Sequence, residues 1–254
     1  MSELRSDPDT PAAESATAEG AAGLRPVDPR LVVFDLDGTL IESLPAIETA
    51  VNEVRRKNGR PPRSTEEVRS AIGDGARVLS GRLFSDFARG DDLDAIHLDF
   101  LEVYERQSVL DPHPWRRGAR ELLDHLLSDG LELAILTNKP LHLTERILER
   151  TGTASLFRAV RCPENSPRKK PDPSSLLALI AEAGRHRGDT VFVGDSVVDF
   201  ATGRGAGVTT FGVRGGYRAE GEHRPDRWFE DPAALDAAWR EDRWSNRKER
   251  SHGP

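Results

Sequence analysis

Three short apolar runs in this chain each stop abruptly at a polar turn. Leu31-Val32-Val33-Phe34 ends at Asp35-Leu36-Asp37, Leu133-Ala134-Ile135-Leu136 at Thr137-Asn138-Lys139-Pro140, and Val191-Phe192-Val193 at Gly194-Asp195-Ser196. A run this short and apolar throughout fits a parallel strand buried on both faces. Weaker runs at 157–161 and 208–213 bring the strand candidates to about five. Helical stripes lie between them. Residues 119–128 carry Leu122, Leu123, Leu126 and Leu127, and Gly130 follows. Residues 141–150 carry Leu143, Ile147 and Leu148 before Gly152, and 173–183 carry Leu176, Leu177, Leu179 and Ile180 before Gly184. Proline near a helix start and glycine past its end are the expected punctuation. Alternating strands and helices predict an α/β fold, a parallel sheet with helices on both faces.

The rhythm breaks between Leu44 and Pro114. This stretch has no buried-strand signal, only helical patterns: Ile47, Ala50, Val51 and Val54 form one stripe, ending at Asn58-Gly59. Ser64 with Glu67 fits a capping box. Residues 76–87 predict a second helix, and 93–107, with Ile96, Phe100, Val103 and Tyr104, a third. The expected division is therefore a core of 29–43 and 115–240 carrying a helical insertion at 44–114. Residues 1–28 have six acids, two arginines and no periodicity, and with 241–254 they are expected to be disordered tails.

Composition narrows the classes. The chain has 254 residues, enough for one α/β domain with a smaller inserted one. No apolar run reaches the ~20 residues of a membrane span, and the first residues lack the basic start and apolar block of a secretory signal. The lone Cys162 excludes a disulfide framework or a thiolate-rich zinc site. A net charge of −7 argues against general nucleic-acid binding. The expectation is a cytoplasmic protein, monomer or homodimer, with no membrane or nucleic-acid partner. Of the 36 Lys and Arg residues only Lys57, Lys139, Lys169, Lys170 and Lys248 are lysine, and three of these sit in proline-flanked loops. A compact ammonium is not interchangeable with a planar guanidinium.

In an open parallel sheet, ligands bind beyond the carboxyl ends of the strands. There this chain delivers Asp35, Asp37, Gly38 and Thr39, then Thr137-Asn138-Lys139, then Asp195-Ser196 with Asp199 one helical turn on. The loop at 169–173 adds Lys169 and Lys170. Like charges ~4 Å apart cost about 4 kcal/mol per pair at an effective dielectric near 20. Gathered carboxylates therefore call for a cation, and oxygen-only ligands suit Mg²⁺. The hydroxyl, amide and ammonium groups suit the oxygens of a phosphoryl group. An ionised Asp at a strand end needs no base to act as a nucleophile, and Asp37 is placed to protonate a leaving oxygen and then activate water.

Asp35-Leu36-Asp37-Gly38-Thr39-Leu40, Thr137-Asn138-Lys139, Lys170-Pro171-Asp172-Pro173 and Gly194-Asp195-Ser196 with Asp199, in that order, resemble the four motifs of the haloacid dehalogenase superfamily. The likeness spans Leu31 to about Ala238. The insertion resembles the helical cap of the phosphoglycolate phosphatase-like branch, as do Thr137-Asn138-Lys139-Pro140 and Gly73-Asp74-Gly75 with Leu79. The resemblance implies a Rossmann-like core with an inserted α-helical cap. It makes Asp35 the nucleophile and Asp37 the general acid/base. Mg²⁺ would be held by Asp35, the main-chain carbonyl of Asp37, Asp195 and Asp199. Gly38, Thr137 and Asn138 would hold the phosphoryl oxygens, and Lys170 would neutralise the aspartyl-phosphate. The carboxylate at Asp37 favours phosphate chemistry over dehalogenation. The implied activity is hydrolysis of a small-molecule phosphate ester, phosphoglycolate being the first candidate. A phosphosugar mutase and a non-catalytic phosphate-binding relative are the alternatives.

Three features depart from the pattern. Glu42 stands where this branch usually has Asp, Lys169 doubles Lys170, and Pro114-Trp115-Arg116-Arg117-Gly118 is unusually bulky and basic. Lys139 is expected to be a loop lysine and not a direct ligand, Arg77 and Arg82 a solvated helix face, and the histidines structural or at the surface. Cys162 is expected to be a buried or edge-strand thiol.

Overall fold

The computed structural model describes residues 28–110, 115–219 and 221–241; the expected disordered tails and Pro114 lie essentially outside them. Six strands form one parallel sheet: β1 (Leu31–Phe34), β2 (Glu132–Leu136), β3 (Ala159–Arg161), β4 (Thr190–Gly194), β5 (Thr209–Val213) and β6 (Arg227–Phe229), in the order β3-β2-β1-β4-β5-β6. The side chains of β1 divide between the sheet faces as the pleat requires. Val32 and Phe34 enter a cluster with α5 (Ala119–Ser128) and α9 (Pro232–Arg240), while Leu31 and Val33 enter one with α7 (Ser174–Glu182). The last strand and helix, β6 and α9, were not legible as a pair. Arg227-Trp228-Phe229 is a three-residue edge strand with no apolar run, and α9 is capped by Asp231, whose side chain accepts from the Ala234 N–H at 2.8 Å.

Among its described residues the insertion holds four helices and no strand: α1 (Leu44–Lys57), α2 (Thr65–Ala71), α3 (Ala76–Phe84) and α4 (Asp91–Leu110). Their buried faces form their own apolar cluster, joined from the core by Leu143 and Tyr217. The Ser64–Glu67 capping box opens α2 as expected. Two helix bounds differ from expectation. Helix α3 stops at Phe84, and a turn folds Phe87 back so that its ring meets the edge of Phe84, centroids 6.0 Å apart. Helix α4 begins two residues early, at Asp91, where Asp91, Asp92 and Asp94 favour the positive end of the helix dipole. Where the chain leaves and rejoins the core, Ile41 bridges to Trp115, and the Arg116 N–H donates to the Leu40 carbonyl at 2.9 Å.

Candidate active site

The sheet order puts three motif-bearing ends side by side. Strand β1 pairs with β2 on one side and β4 on the other, with Phe34 opposite both Ile135 and Val193. The next residues along the chain therefore bring Asp35 between the Thr137 and Asp195 loops. Helix α8 (Val197–Ala206) starts immediately after, and its N-cap Ser196 accepts from the Asp199 N–H while the Asp199 carboxylate accepts from the Ser196 N–H at 3.0 Å. This reciprocal cap turns Asp199 inward.

Asp35, Asp195 and Asp199 are all buried, each offering an oxygen within 4.8 Å of the others. Lys170 lies between two of them, its Nζ 2.8 Å from Asp35 Oδ1 and 2.6 Å from Asp199 Oδ1. Asp195 is held by the Thr39 hydroxyl at 2.8 Å and the Tyr217 N–H at 2.7 Å. Gly38, with φ of +82°, is needed here twice over: a Cβ would lie 2.7 Å from Asp195 Oδ2, and the backbone angle itself disfavours a side chain. Gly216 shares only the steric part of that constraint, a Cβ falling 2.2 Å from Asp195 Oδ2.

The cluster carries more negative charge than its own residues offset. Burial, with neighbouring Asp199 and Asp35, pushes the Asp195 carboxyl up to about 8; burial raises Asp35 to about 6 even though Lys170 opposes the shift. Lys170 is itself raised, because the pull of Asp199 and Asp35 outweighs its own desolvation. Asp35 Oδ1 lies off the axis of any directed hydrogen bond despite its nearness to Lys170. Three buried carboxylates, one ammonium and an oxygen without a hydrogen bond fit a divalent cation taken up through oxygen ligands.

The remaining expected site residues converge on the same place in different ways. Asp37 is there, but its carboxylate accepts from Lys139 Nζ at 2.9 and 3.2 Å and does not join the acid triad. Lys139 lies in a loop, as expected, and its ammonium is buried, with Tyr104 of α4 as a second partner and its charge 4.5 Å from the Tyr104 ring centroid. Thr137 is buried, its hydroxyl oxygen accepting from the Lys139 N–H at 3.2 Å. The Asn138 side chain is committed to structure: it donates to the carbonyls of Lys170 and of Gly73, and accepts from the Lys170 N–H, each at 3.0 Å. The Gly38 N–H donates to the Ile41 carbonyl at 2.8 Å, so at this position the glycine provides room for Asp195 and not an open donor.

The departures also acquire places. Glu42 accepts from the Tyr217 hydroxyl at 2.7 Å, and that same oxygen receives the N–H groups of Ser43 and Leu44 at 2.8 and 3.0 Å, fastening the start of the cap. Lys169 is exposed and donates to the Asp74 carbonyl at 3.1 Å. Arg116 reaches the carbonyls of Gly38 and Arg214. Arg77 and Arg82 are exposed, as expected of a solvated helix face, and form surface ion pairs, Arg82 with Asp74 at 2.5 Å and Arg77 with Asp94. Cys162 is fully buried, its thiol pushed up to about 12 by desolvation, and His125 bonds Asp236 at 2.8 Å. Thr39 was legible inside its motif; Tyr104 and Tyr217 carried no chemical signal, one reading as a helix-face aromatic and the other as a loop residue.

Comparison with known proteins agrees with this geometry. Residues 29–207 match the family model described as haloacid dehalogenase-like hydrolase. The chain is 38% identical over 196 residues to a phosphoglycolate phosphatase of Pseudomonas putida, covering 74% of this chain and 71% of that protein. It is 32% identical over 202 residues to an N-acetylmuramic acid 6-phosphate phosphatase of Pseudomonas aeruginosa, covering 80% and 88%. A crystal structure described as a predicted phosphoglycolate phosphatase from Haemophilus somnus superposes with a TM-score of 0.77 at 29% identity, covering 82% of this chain and 97% of the other. With its parallel sheet, inserted cap and four motif loops at one sheet edge, the chain belongs to the haloacid dehalogenase-like hydrolases.

Proposed function

We propose that this protein is a Mg²⁺-dependent phosphatase that hydrolyses a small phosphate monoester through a phospho-aspartyl intermediate on Asp35. The observation that carries the reading is the meeting of Asp35, Asp195, Asp199 and Lys170 in one buried cluster beside Asp37 and Thr137. The named phosphatases among its relatives support a phosphate ester as substrate, phosphoglycolate first. The division that goes with this is a core of 29–43 and 115–240 and a cap of 44–114. We place the protein in the cytoplasm, as a monomer or homodimer.

In the first step Asp35 attacks phosphorus, the ester P–O bond breaks, and Asp37 gives a proton to the departing oxygen. Asp37, now a carboxylate, takes a proton from water, which attacks the acyl-phosphate; inorganic phosphate leaves and Asp35 is restored. Lys170, already 2.8 Å from Asp35, offsets the phosphoryl charge, and Thr137 offers its hydroxyl to a phosphoryl oxygen. Asn138 acts by fixing Lys170, and Gly38 by leaving space for Asp195. Mg²⁺ would be held by Asp35, the Asp37 carbonyl, Asp195 and Asp199; when bound it neutralises charge on the phosphoryl group. The cap shields the reacting groups from bulk water.

A phosphate-release panel of small esters, run with Mg²⁺ and with EDTA beside Asp35→Asn, tests this. Turnover is expected only with metal and is expected to fall at least about a thousandfold in Asp35→Asn. Hydrolysis that persists in that variant excludes the aspartyl intermediate.

A further inference from the structure

Helix α1 opens the cap, and the first amides of a helix have no partner within it. The N-cap residue, Ser43, makes no side-chain bond to the helix. The acceptor comes from the core instead. The Tyr217 hydroxyl receives the Ser43 N–H at 2.8 Å and the Leu44 N–H at 3.0 Å, and donates its own proton to Glu42 at 2.7 Å. A hydroxyl has one proton and two lone pairs, so the two amides and Glu42 take up its capacity. The Ser43 hydroxyl, 3.2 Å away, can only share it.

The same residue holds an acid of the buried cluster by its backbone. The Tyr217 N–H donates to Asp195 Oδ2 at 2.7 Å, while the Thr39 hydroxyl holds Oδ1 at 2.8 Å. Little space is left around this contact: a Cβ at Gly216 would fall 2.2 Å from Asp195 Oδ2, and one at Gly38 2.9 Å from Cδ2 of the Tyr217 ring. A second cap helix reaches the same dipeptide. Arg69 of α2 donates to the Gly216 carbonyl at 3.2 Å, and its guanidinium stands 5.9 Å from the Tyr217 ring centroid. Gly216-Tyr217 thus lies between Asp195 and the first two helices of the cap, with no other residue intervening.

We propose that Tyr217 is a positioning residue that couples the cap to the metal centre: cation uptake at Asp195 fixes the start of α1, and a seated cap in turn strengthens cation uptake. This rests on the metal site of the phosphatase reading and deepens it. Lys170 reaches Asp35 and Asp199, whereas Asp195 is held by two neutral donors, the Thr39 hydroxyl and the Tyr217 N–H. Repulsion from the other two acids therefore bears on the Tyr217 contact, and a cation among the three removes it. Tyr217 carries that difference to the α1 amides through its hydroxyl. Coupling between two sites is reciprocal, so loosening the α1 contact must weaken the metal site by the same factor.

Amide hydrogen exchange of the full chain, followed by NMR in EDTA and in Mg²⁺, tests the coupling in the native protein and in Tyr217→Phe. That substitution deletes the hydroxyl and leaves the N–H to Asp195 in place. In the native protein Mg²⁺ should slow exchange at Ser43 and Leu44 at least about fivefold beyond any change at the Glu67 amide of the α2 capping box. In Tyr217→Phe that effect should vanish, and Mg²⁺ affinity in a calorimetric titration should fall about fivefold or more. No Mg²⁺ effect at Ser43 and Leu44 in the native protein, or one equal to that at Glu67, overturns the coupling. So does a native-sized Mg²⁺ effect in Tyr217→Phe, which would leave the hydroxyl a helix cap only. If Tyr217→Phe does not fold, Arg69→Met, which removes the second cap contact on Gly216, decides: a weakened Mg²⁺ effect supports the coupling and an unchanged one overturns it. Failure of the native protein to take up Mg²⁺ overturns the metal site as well, whereas uptake without a response at α1 overturns the coupling alone.

Discussion

The core and the cap treat buried charge in opposite ways. Within the described cap, Arg55 is the charged side chain that is fully buried, and each nitrogen of its guanidinium finds an acceptor. Nε donates to the Pro61 carbonyl at 2.7 Å, the two terminal nitrogens reach Asp86 at 2.9 and 3.0 Å, and one of them also reaches the Leu83 carbonyl. Asp86 is held down to about 2 by this contact. At the sheet edge the balance fails: Asp35 and Asp195 are pushed upward, and Lys170 alone stands against three acids. A satisfied buried charge stabilises a fold, whereas an unbalanced cluster retained at a strand end is built to receive something.

The largest effect that would test this contrast is Lys170→Met. Phosphatase activity should fall about a hundred- to a thousandfold. In EDTA, removing one partner of the buried cluster should cost about 3–5 kcal/mol in a urea melt. A fully stable, fully active Lys170→Met protein would break the comparison. Arg55→Ala comes next. It should cost about 2–3 kcal/mol, less than a fully buried pair because Asp86 is 40% exposed, while phosphate release below the melting range stays near native. A loss of activity without a loss of stability would contradict the structural role.

A subtler effect is the pH dependence of metal binding. Folded Asp35 and Asp195 keep protons up to about 6 and about 8, which the unfolded chain releases near its ordinary value of 3.8. The folded state thus binds more protons, so this contribution to stability declines as pH rises across that window. A divalent cation offsets the charge that those protons leave behind. The gap in Tm between Mg²⁺ and EDTA should therefore widen from about pH 5 to about pH 8, and a constant or narrowing gap in a calorimetric scan would argue against the acid cluster as the metal site. The smallest expected effect is Arg218→Ala at the cap–core seam. Its pair with Asp74 is partly exposed, so stability should change by no more than about 1 kcal/mol, with the change in KM exceeding that in kcat.

The sequence made the core legible because its signals are local. Leu31 to Phe34 is apolar at every position because both faces of β1 are covered, and the acids that follow must emerge at the sheet edge. The Ser64–Glu67 box is equally local. The partners of Lys139 were hidden for the opposite reason. Asp37 is 102 residues away in the chain and Tyr104 is 35, and neither spacing follows any helix or strand period. Glu42 stood out as a departure, yet its role depends on Tyr217, 175 residues later.

By itself, then, the sequence determined the strand ends, the acids they carry and the helical character of the insertion, since short-range periodicity and turn chemistry encode these directly. Only the tertiary structure decided how the polar groups divide among partners. Asp199 turns inward through its own helix cap, Asn138 braces Lys170 and the Gly73 loop, and Asp37 pairs with Lys139 apart from the acid triad. The physical reason is burial: once water is excluded each charged or polar group must find a protein partner, and which one it finds is fixed by the packing of cap on core.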